Sequence, residues 1–488
     1  MVHVAFKKLN MSSILNKLIG ITLLLSCLNF VSCSKDIEEN KPTLPVDTTG
    51  AKPDPTIPAF KTHQEWTYNL NMYEANVRQY SQEGTFNAFK THLPRLKELG
   101  VGIIWFMPIH PIGKKNIIAP LGSYYSVQDY KKVNPEFGTM DDFKELVNEI
   151  HKSGMYVILD WVPNHTSWDN VLTQTNPDWY TKDANGNFMP PAGTNWSDVI
   201  DLDYSKAGLR QYMISAMKFW VTEVGVDGFR CDAAEMVPMD FWDEATSELR
   251  KTYPGILMLA EGGGSESYHH GFNMTYAWNL HGFKKGLLRD IYSGSKNAND
   301  LETYLNNEVN QIPKTESRLY FTSNHDENSW EGTEFEQFGD GANTFAVLAH
   351  TMYGMPLTYT GQEIGLDRRL LFFDKDPITW TENSYTELYT ILGSLKKNNK
   401  ALWNGEKGGI PVRVKTSNPT SIFSYKREKG EDGIFVILNV SGTEQNVVLE
   451  ENFPGAYKEV FTGEEKSFDN GGELNIGPWG YKVFKKME

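Results

Sequence analysis

The chain has 488 residues, more than one compact core accommodates and enough for a large domain with a smaller one beside it. Lys and Arg number 47 against 62 Asp and Glu, a net charge of -15, and this acidic balance argues against nucleic acid or an anionic membrane surface as a partner. Hydrophobic residues make up 40% and aromatic residues 13%, including 13 Trp and 23 Tyr, which supplies a large core and leaves flat ring faces for a binding groove.

The first element is a targeting segment rather than part of the fold. Lys7, Lys8 and Lys17 precede an apolar run from Leu18 to Val31, too short and wrongly flanked for a membrane span. The run stops at Ser32-Cys33, and a small residue before a Cys followed by Ser34, Lys35 and Asp36 looks like a bacterial lipoprotein cleavage site. On that reading residues 1–32 are the signal peptide and Cys33 carries the lipid, although Phe30 departs from the usual aliphatic residue. Leu24, Leu25, Ser26 and Cys27 fit the same signal in letters, but cleavage there leaves an apolar stretch, Leu28 to Val31, at the new terminus. Residues 33–60, with Pro42, Pro45, Pro53, Pro55 and Pro58, read as an extended tether. Its acidic start, Asp36 to Glu39, resembles export signals of surface-displayed lipoproteins, which points to the outer membrane and the cell surface; the alternatives are the periplasmic face and, with an ordinary secretory signal, release from the cell. After cleavage at Cys33 the only other thiol is Cys231, so no intramolecular disulfide framework exists.

From 61 to 400 short apolar runs alternate with amphipathic stretches. Eight runs read as strands: Leu70–Tyr73, Val101–Met107, Met155–Val162, Val226–Cys231, Ile256–Ala260, Asn273–Trp278, Arg318–Thr322 and Pro356–Thr360. They are continuously apolar, which requires cover on both faces and so a parallel sheet. Between them, Thr139 caps a helix whose first turn carries Asp141 and Asp142, whose stripe is Phe143, Leu146, Val147 and Ile150, and which ends at Gly154. Phe86, Phe89, Leu93, Leu96 and Leu99 form a similar stripe ending at Gly100, interrupted by Pro94. Eight alternations predict an α/β fold, a (β/α)8 TIM barrel. Residues 166–204, without a clean helix, form a short excursion domain after the third strand, over the barrel mouth. Residues 401–488 turn to branched residues between Gly, Asn and Pro turns, as in Ser421–Tyr425, Gly433–Leu438 and Tyr481–Phe484, and predict a C-terminal antiparallel β-sandwich.

A TIM barrel gathers its chemistry at the C-terminal ends of its strands. Four of the predicted strands end in polar groups there: Asp160 to Asn164-His165, Arg230-Cys-Asp232, Glu261, and Asn324-His325-Asp326. A lone Asp after a strand is commonly a turn or a helix cap, but four such ends in succession surround a single opening. Several carboxylates with two His and one Arg, and no Cys/His metal cluster, suit acid–base cleavage of a glycosidic bond. Arg230 and Asp232 are two apart on a strand, so both face one side, and the fixed cation favours an ionised Asp232. Glu261 follows apolar Leu257–Ala260 and precedes Gly262, Gly263 and Gly264; partial desolvation there favours a retained proton.

These four segments, in this order, resemble the four signature regions of glycoside hydrolase family 13, the α-amylase family, and the likeness extends from about residue 66 to the end. The resemblance implies Asp232 as nucleophile, Glu261 as acid/base and Asp326 as the acid that grips and strains the sugar. It implies Tyr125, His165, Arg230 and His325 as substrate-binding groups, Tyr125 by stacking on the sugar. Asn164 and Asp201 match two ligands of the calcium site of many α-amylases, with the oxygen donors calcium takes. Relatives with a similarly short excursion lack the ion, so both outcomes stand open, and no organic cofactor is implied. The loop from Lys182 to Asn187 lacks the closing Glu of an EF-hand. Where many α-amylases carry Lys-His after the nucleophile this chain has Glu235-Met236, so the leaving side differs. The expected activity is retaining hydrolysis of α-1,4 links in starch, glycogen or maltooligosaccharides. The alternatives are an α-1,6-acting or transglycosylating relative (neopullulanase, oligo-1,6-glucosidase, glucanotransferase) and, in another class, a non-catalytic starch-binding surface protein.

Overall fold

The computed structural model describes residues 65–282, 286–469 and 471–487; the signal segment, Cys33 and the tether lie outside them. Among the described residues no helix is long and apolar enough to cross a membrane.

The eight runs all form strands, with ends moved by one or two residues: β1 Met72–Ala75, β2 Ile103–Phe106, β3 Tyr156–Trp161, β4 Gly228–Cys231, β5 Leu257–Ala260, β6 Met274–Tyr276, β7 Ser317–Tyr320 and β8 Gly354–Tyr359. Neighbours pair in parallel in chain order, and β1 pairs with both β2 and β8, which closes the barrel. The unbroken apolar composition has its cause in two cores that share these strands. Met72, Ile103, Trp105, Ile158, Leu257, Leu259, Leu319 and Leu357 fill the interior. The residues between them, such as Tyr73, Ile104, Val157, Leu159, Phe229 and Met258, face out under the helices. With alternate side chains on opposite faces, neither face tolerates polar residues away from the barrel mouth.

The helix α1, Met140–Lys152, is built as the sequence predicts: Thr139 accepts from the Asp142 amide, Asp142 reaches back to the Thr139 amide, and Gly154 follows in the left-handed region. The stripe of Phe86 to Leu99 is instead two short helices, Phe86–Lys90 and Leu93–Glu98. Pro94 explains the break: it has no N–H to donate to a preceding turn, so it sits in the first turn of the second helix, where none is needed.

The excursion is anchored by a two-stranded antiparallel ribbon, His165–Ser167 against Val199–Asp201. Ser126 donates to the Asp198 carbonyl and Tyr204 to that of Pro163, which fastens the excursion to the mouth. In the C-terminal part a six-stranded sheet and a two-stranded sheet enclose Ile422, Phe435, Ile437, Val447, Phe453 and Phe484. The other face of the larger sheet, with Phe423, Tyr425, Val436 and Leu438, packs on barrel-helix residues including Phe345, Leu348 and Leu392. Arg427 fixes this contact without any carboxylate: it donates to the carbonyls of Gly409, Thr351, Met352 and Trp403. Burial pushes its pKa down to about 10, which still leaves the cation in place at neutral pH.

Candidate active site

The polar residues missing from the barrel walls are gathered at its mouth. Asp160 on β3 and Arg230 on β4 are register partners, so their side chains emerge side by side into the barrel. Arg230 Nη1 lies 3.0 Å from Asp160 Oδ1 and 2.9 Å from Asp232 Oδ1, while Nη2 lies 2.9 Å from Glu261 Oε1. Its Nε donates to Tyr276 Oη at 3.0 Å, and Trp105 donates to Asp160 at 3.2 Å. One guanidinium thereby orients three carboxylates from three successive strands. A planar fork of donors does this where a point-charge ammonium would not.

A second chain of bonds crosses the mouth. Glu74, at the end of β1, holds His325 Nδ1 at 2.5 Å; His325 Nε2 meets Tyr125 Oη at 2.8 Å; Tyr125 Oη donates to Asp160 Oδ2 at 3.0 Å. Asp326 Oδ2 lies 3.4 Å from His325 Nε2. Burial alone would strip His325 of its charge, but Asp326 and Glu74 hold it up to about 9, so it is an imidazolium at neutral pH. His165 has no such partner: burial pushes it down to about 4, and its Nδ1 faces the Asn164 amide at 3.2 Å.

Burial raises every carboxylate here. Asp160 is pushed to about 7 against the pull of Arg230, and Asp232, Glu261 and Asp326 are each raised by burial, with Arg230 or His325 opposing. The cause exceeds the desolvation of any one group. Five carboxylates (Glu74, Asp160, Asp232, Glu261, Asp326) face two cations (Arg230, His325), so full ionisation would leave uncompensated charge in buried ground. The cluster therefore retains protons near neutrality. For Glu261 burial is the largest cause, as the sequence predicts, with Arg230 opposing it and Asp232 adding to it. Its apolar predecessors line the two cores, and its own oxygens meet Arg230 and, at 2.7 Å, the Ala233 amide.

Tyr125, His165, Asp232, Glu261, His325 and Asp326 line one cleft of about 540 Å³. Arg230, expected to touch the substrate, does not line it: at 1% exposure it lies beneath the carboxylates and positions them. The cleft walls are aromatic. Tyr125 is nearly parallel to Phe372, and Trp330 packs on Phe372 at 5.1 Å from one side while Trp196 packs on His165 at 5.2 Å from the other. Beyond Glu261 a second groove continues between Glu235, Met236 and Trp278. Asn164 and Asp201 lie close together under the excursion, the backbone of Leu202 bonding that of Asn164; the Asp201 carboxylate is taken by Thr181 Oγ1 at 2.6 Å.

The sequence marks Asp160 at its strand end without assigning it a role and does not single out Glu74, although Glu74 stands at a strand end like the four groups singled out. Trp330 carried a signal too, four residues after Asp326 and so one helical turn on. Phe372 and Phe373 lie in a loop and carried none.

Comparison with known proteins agrees with this geometry. Residues 60–411 match the alpha-amylase catalytic-domain family, and residues 422–480 match the alpha-amylase SusG C-terminal domain. Alpha-amylase 3 of Dictyoglomus thermophilum is 25% identical, over 87% of this chain and 94% of that one. Among solved structures, the noncanonic maltogenic alpha-amylase AmyB of Thermotoga neapolitana superposes with a TM-score of 0.77 at 29% identity, covering 86% of this chain and 99% of the other. An alpha-amylase from Lactobacillus plantarum gives 0.76 at 28%, with 88% and 100% covered.

The His325 pair makes stability depend on pH with a definite sign. A histidine raised from its ordinary value to about 9 contributes stability that is complete below about pH 6.5 and is lost as pH climbs through about 9. Thermal melts from pH 6.5 to 9.5 should show Tm falling for the wild type and a flatter profile for Glu74→Gln; an equal slope in both would refute the pairing.

Proposed function

The chain belongs to the alpha-amylase family, and on that premise we propose that it is a retaining hydrolase of α-1,4-glucosidic bonds in starch, glycogen or maltooligosaccharides. The observation that carries this is the sharing of Arg230 by Asp232 and Glu261 at the floor of an aromatic cleft. Two carboxylates held on the two ends of one guanidinium can serve a single sugar ring, and a pair held close to one another is what a retaining mechanism requires. Asp232, hydrogen-bonded to Arg230 Nη1, attacks the anomeric carbon. Glu261 supplies its proton to the departing oxygen, then takes one from the water that releases the glycosyl group. Asp326, next to the His325 imidazolium, grips sugar hydroxyls. Tyr125, His165 and the rings of Trp196, Trp330 and Phe372 present flat faces and polar edges to sugar C–H and O–H groups.

Two further parts of the reading concern the metal and the membrane. The excursion is held without calcium: the ribbon of His165–Ser167 with Val199–Asp201 and the bonds of Ser126 and Tyr204 already fasten it. The ion takes six to eight oxygens, and of the two side chains expected to supply them Asp201 is raised by burial and has Oδ2 bonded to Thr181, while Asn164 turns its amide nitrogen to His165. The N-terminus is lipidated at Cys33 and tethers the enzyme to the outer membrane, facing outward; the support is the sequence pattern of Lys17, Leu18–Val31 and Ser32-Cys33 with its acidic successor.

Asp232→Asn should lower kcat on amylose by roughly four or more orders of magnitude while maltooligosaccharide binding persists. Proton NMR of wild-type cleavage should show the α-anomer first; a β-anomer first would exclude retention, panose from pullulan would redirect the reading to a neopullulanase, and products longer than the substrate to transfer. Dialysis against EDTA should leave Tm within about 1 °C, and a larger loss restored by calcium would overturn the metal-free reading. In cell fractionation Cys33→Ser should move the protein from the membrane to the soluble fraction, whereas Cys27→Ser should not.

A further inference from the structure

The turn after the nucleophile and the turn after the acid are laced together by two bonds that run in opposite directions. From the first turn, the Ala233 amide donates to Glu261 Oε2 at 2.7 Å. From the second, the Gly264 amide donates to Glu235 Oε1 at 2.9 Å. The local backbone is shaped around this clasp. Ala233 takes a left-handed φ of 43°, a conformation costly for a residue with a Cβ, and thereby turns its amide toward Glu261. Gly262 has no Cβ for a different reason: one would sit 2.4 Å from Glu235 Oε1, and one on Gly264 would sit 2.9 Å from the same atom. The glycines thus make room for the Glu235 side chain to lie across the turn. The rest of the turn is held from the barrel side, with Tyr276 N donating to the Gly262 carbonyl and Arg318 Nη1 to that of Gly263, both near 2.8–2.9 Å. Arg318 is itself fixed by Glu308 at 2.8 Å. Only the solvent side of the turn depends on Glu235.

We propose that Glu235 is a positioning residue for Glu261: by gripping the Gly264 amide it sets the turn that aims the acid at the leaving oxygen. The inference rests on Glu261 being the acid/base. The chemistry gives it a specific readout. As Asp232 bonds to the anomeric carbon, the C–O bond breaks with its electron pair going to oxygen, and Glu261 must deliver a proton there. A glycosyl fluoride breaks its C–F bond instead and releases fluoride ion, which needs no proton. Misplacing the acid therefore penalises natural bonds and spares the fluoride, whereas general damage to the site penalises both.

The test compares kcat/KM on maltotetraose and on α-maltosyl fluoride for the wild type, Glu235→Ala, Glu235→Gln and Glu261→Ala; this constant covers the steps up to loss of the leaving group. The ratio of the two substrates cancels any loss of folded enzyme. Glu235→Ala should shift that ratio about 10- to 100-fold against maltotetraose, the scale of a displacement of about 1 Å. Glu235→Gln, whose amide oxygen accepts the same bond, should restore most of it. An unchanged ratio in Glu235→Ala overturns the proposal, as does a Gln variant that shifts it as far as Ala. Glu261→Ala should shift the ratio further in the same direction; if it does not, the assignment of Glu261 itself is what fails.

Discussion

Everything at the barrel mouth is arranged around Arg230. A buried guanidinium is expensive to desolvate, and here the cost is offset by Asp160, Asp232 and Glu261 together with Tyr276. Only Asp232 shares a strand face with Arg230; Asp160 and Glu261 come from β3 and the end of β5 and are brought level with them by parallel pairing. The register is therefore a chemical requirement as well as a structural one. A one-residue slip would send these side chains into the helix layer and apolar ones into the mouth.

The same crowding explains how one site holds both an anion and an acid. Arg230 and the His325 imidazolium are too few to neutralise five buried carboxylates, so protons and charges are shared over the group. Asp232 accepts from Arg230 Nη1 at 2.9 Å, which favours its charge. Asp160, fully buried and pushed to about 7, sits where Arg230, Trp105 and Tyr125 all donate to it. It does not line the cleft, and its bonds hold Arg230 and Tyr125 in place.

The sequence carried the barrel because its period is unambiguous: each strand must be apolar on both faces, and eight such runs separated by helix-length stretches leave few other topologies. Strand ends were blurred by up to two residues, since apolar residues such as Leu70 and Val101 continue beyond the ladder into the inner and outer cores. The carboxylates of the mouth were legible because several polar strand ends in succession surround a single opening. What surrounds them was legible only in part. Glu74 was passed over because the predicted run ended at Tyr73, one residue short of it, and Asp160 was named at its strand end without a role of its own. Arg230 was read as a substrate contact because a strand shows which face a side chain takes, not how deep it lies. The aromatic wall from Phe372 and Phe373 depends on a loop path that no periodicity encodes.

Floor and walls are subject to different constraints. Each floor residue bonds at least one other charged or polar group, so a single substitution leaves a buried partner unsatisfied, and the floor resists change. The walls carry no such debt. Trp330 and Met236 are 47% and 45% exposed, and the turn of Glu235 faces the groove beyond Glu261 from the solvent side. Substitution at Trp330 or Met236 alters which sugar faces fit without leaving a buried polar partner unsatisfied. Fixed charge at the floor and exposed apolar rings and chains at the rim thus separate the reaction from the fit of the glucan. Of the pair Glu235-Met236, the departure visible in the signature segments, Met236 lies at that rim, whereas Glu235 is tied to the Gly264 amide beside the acid.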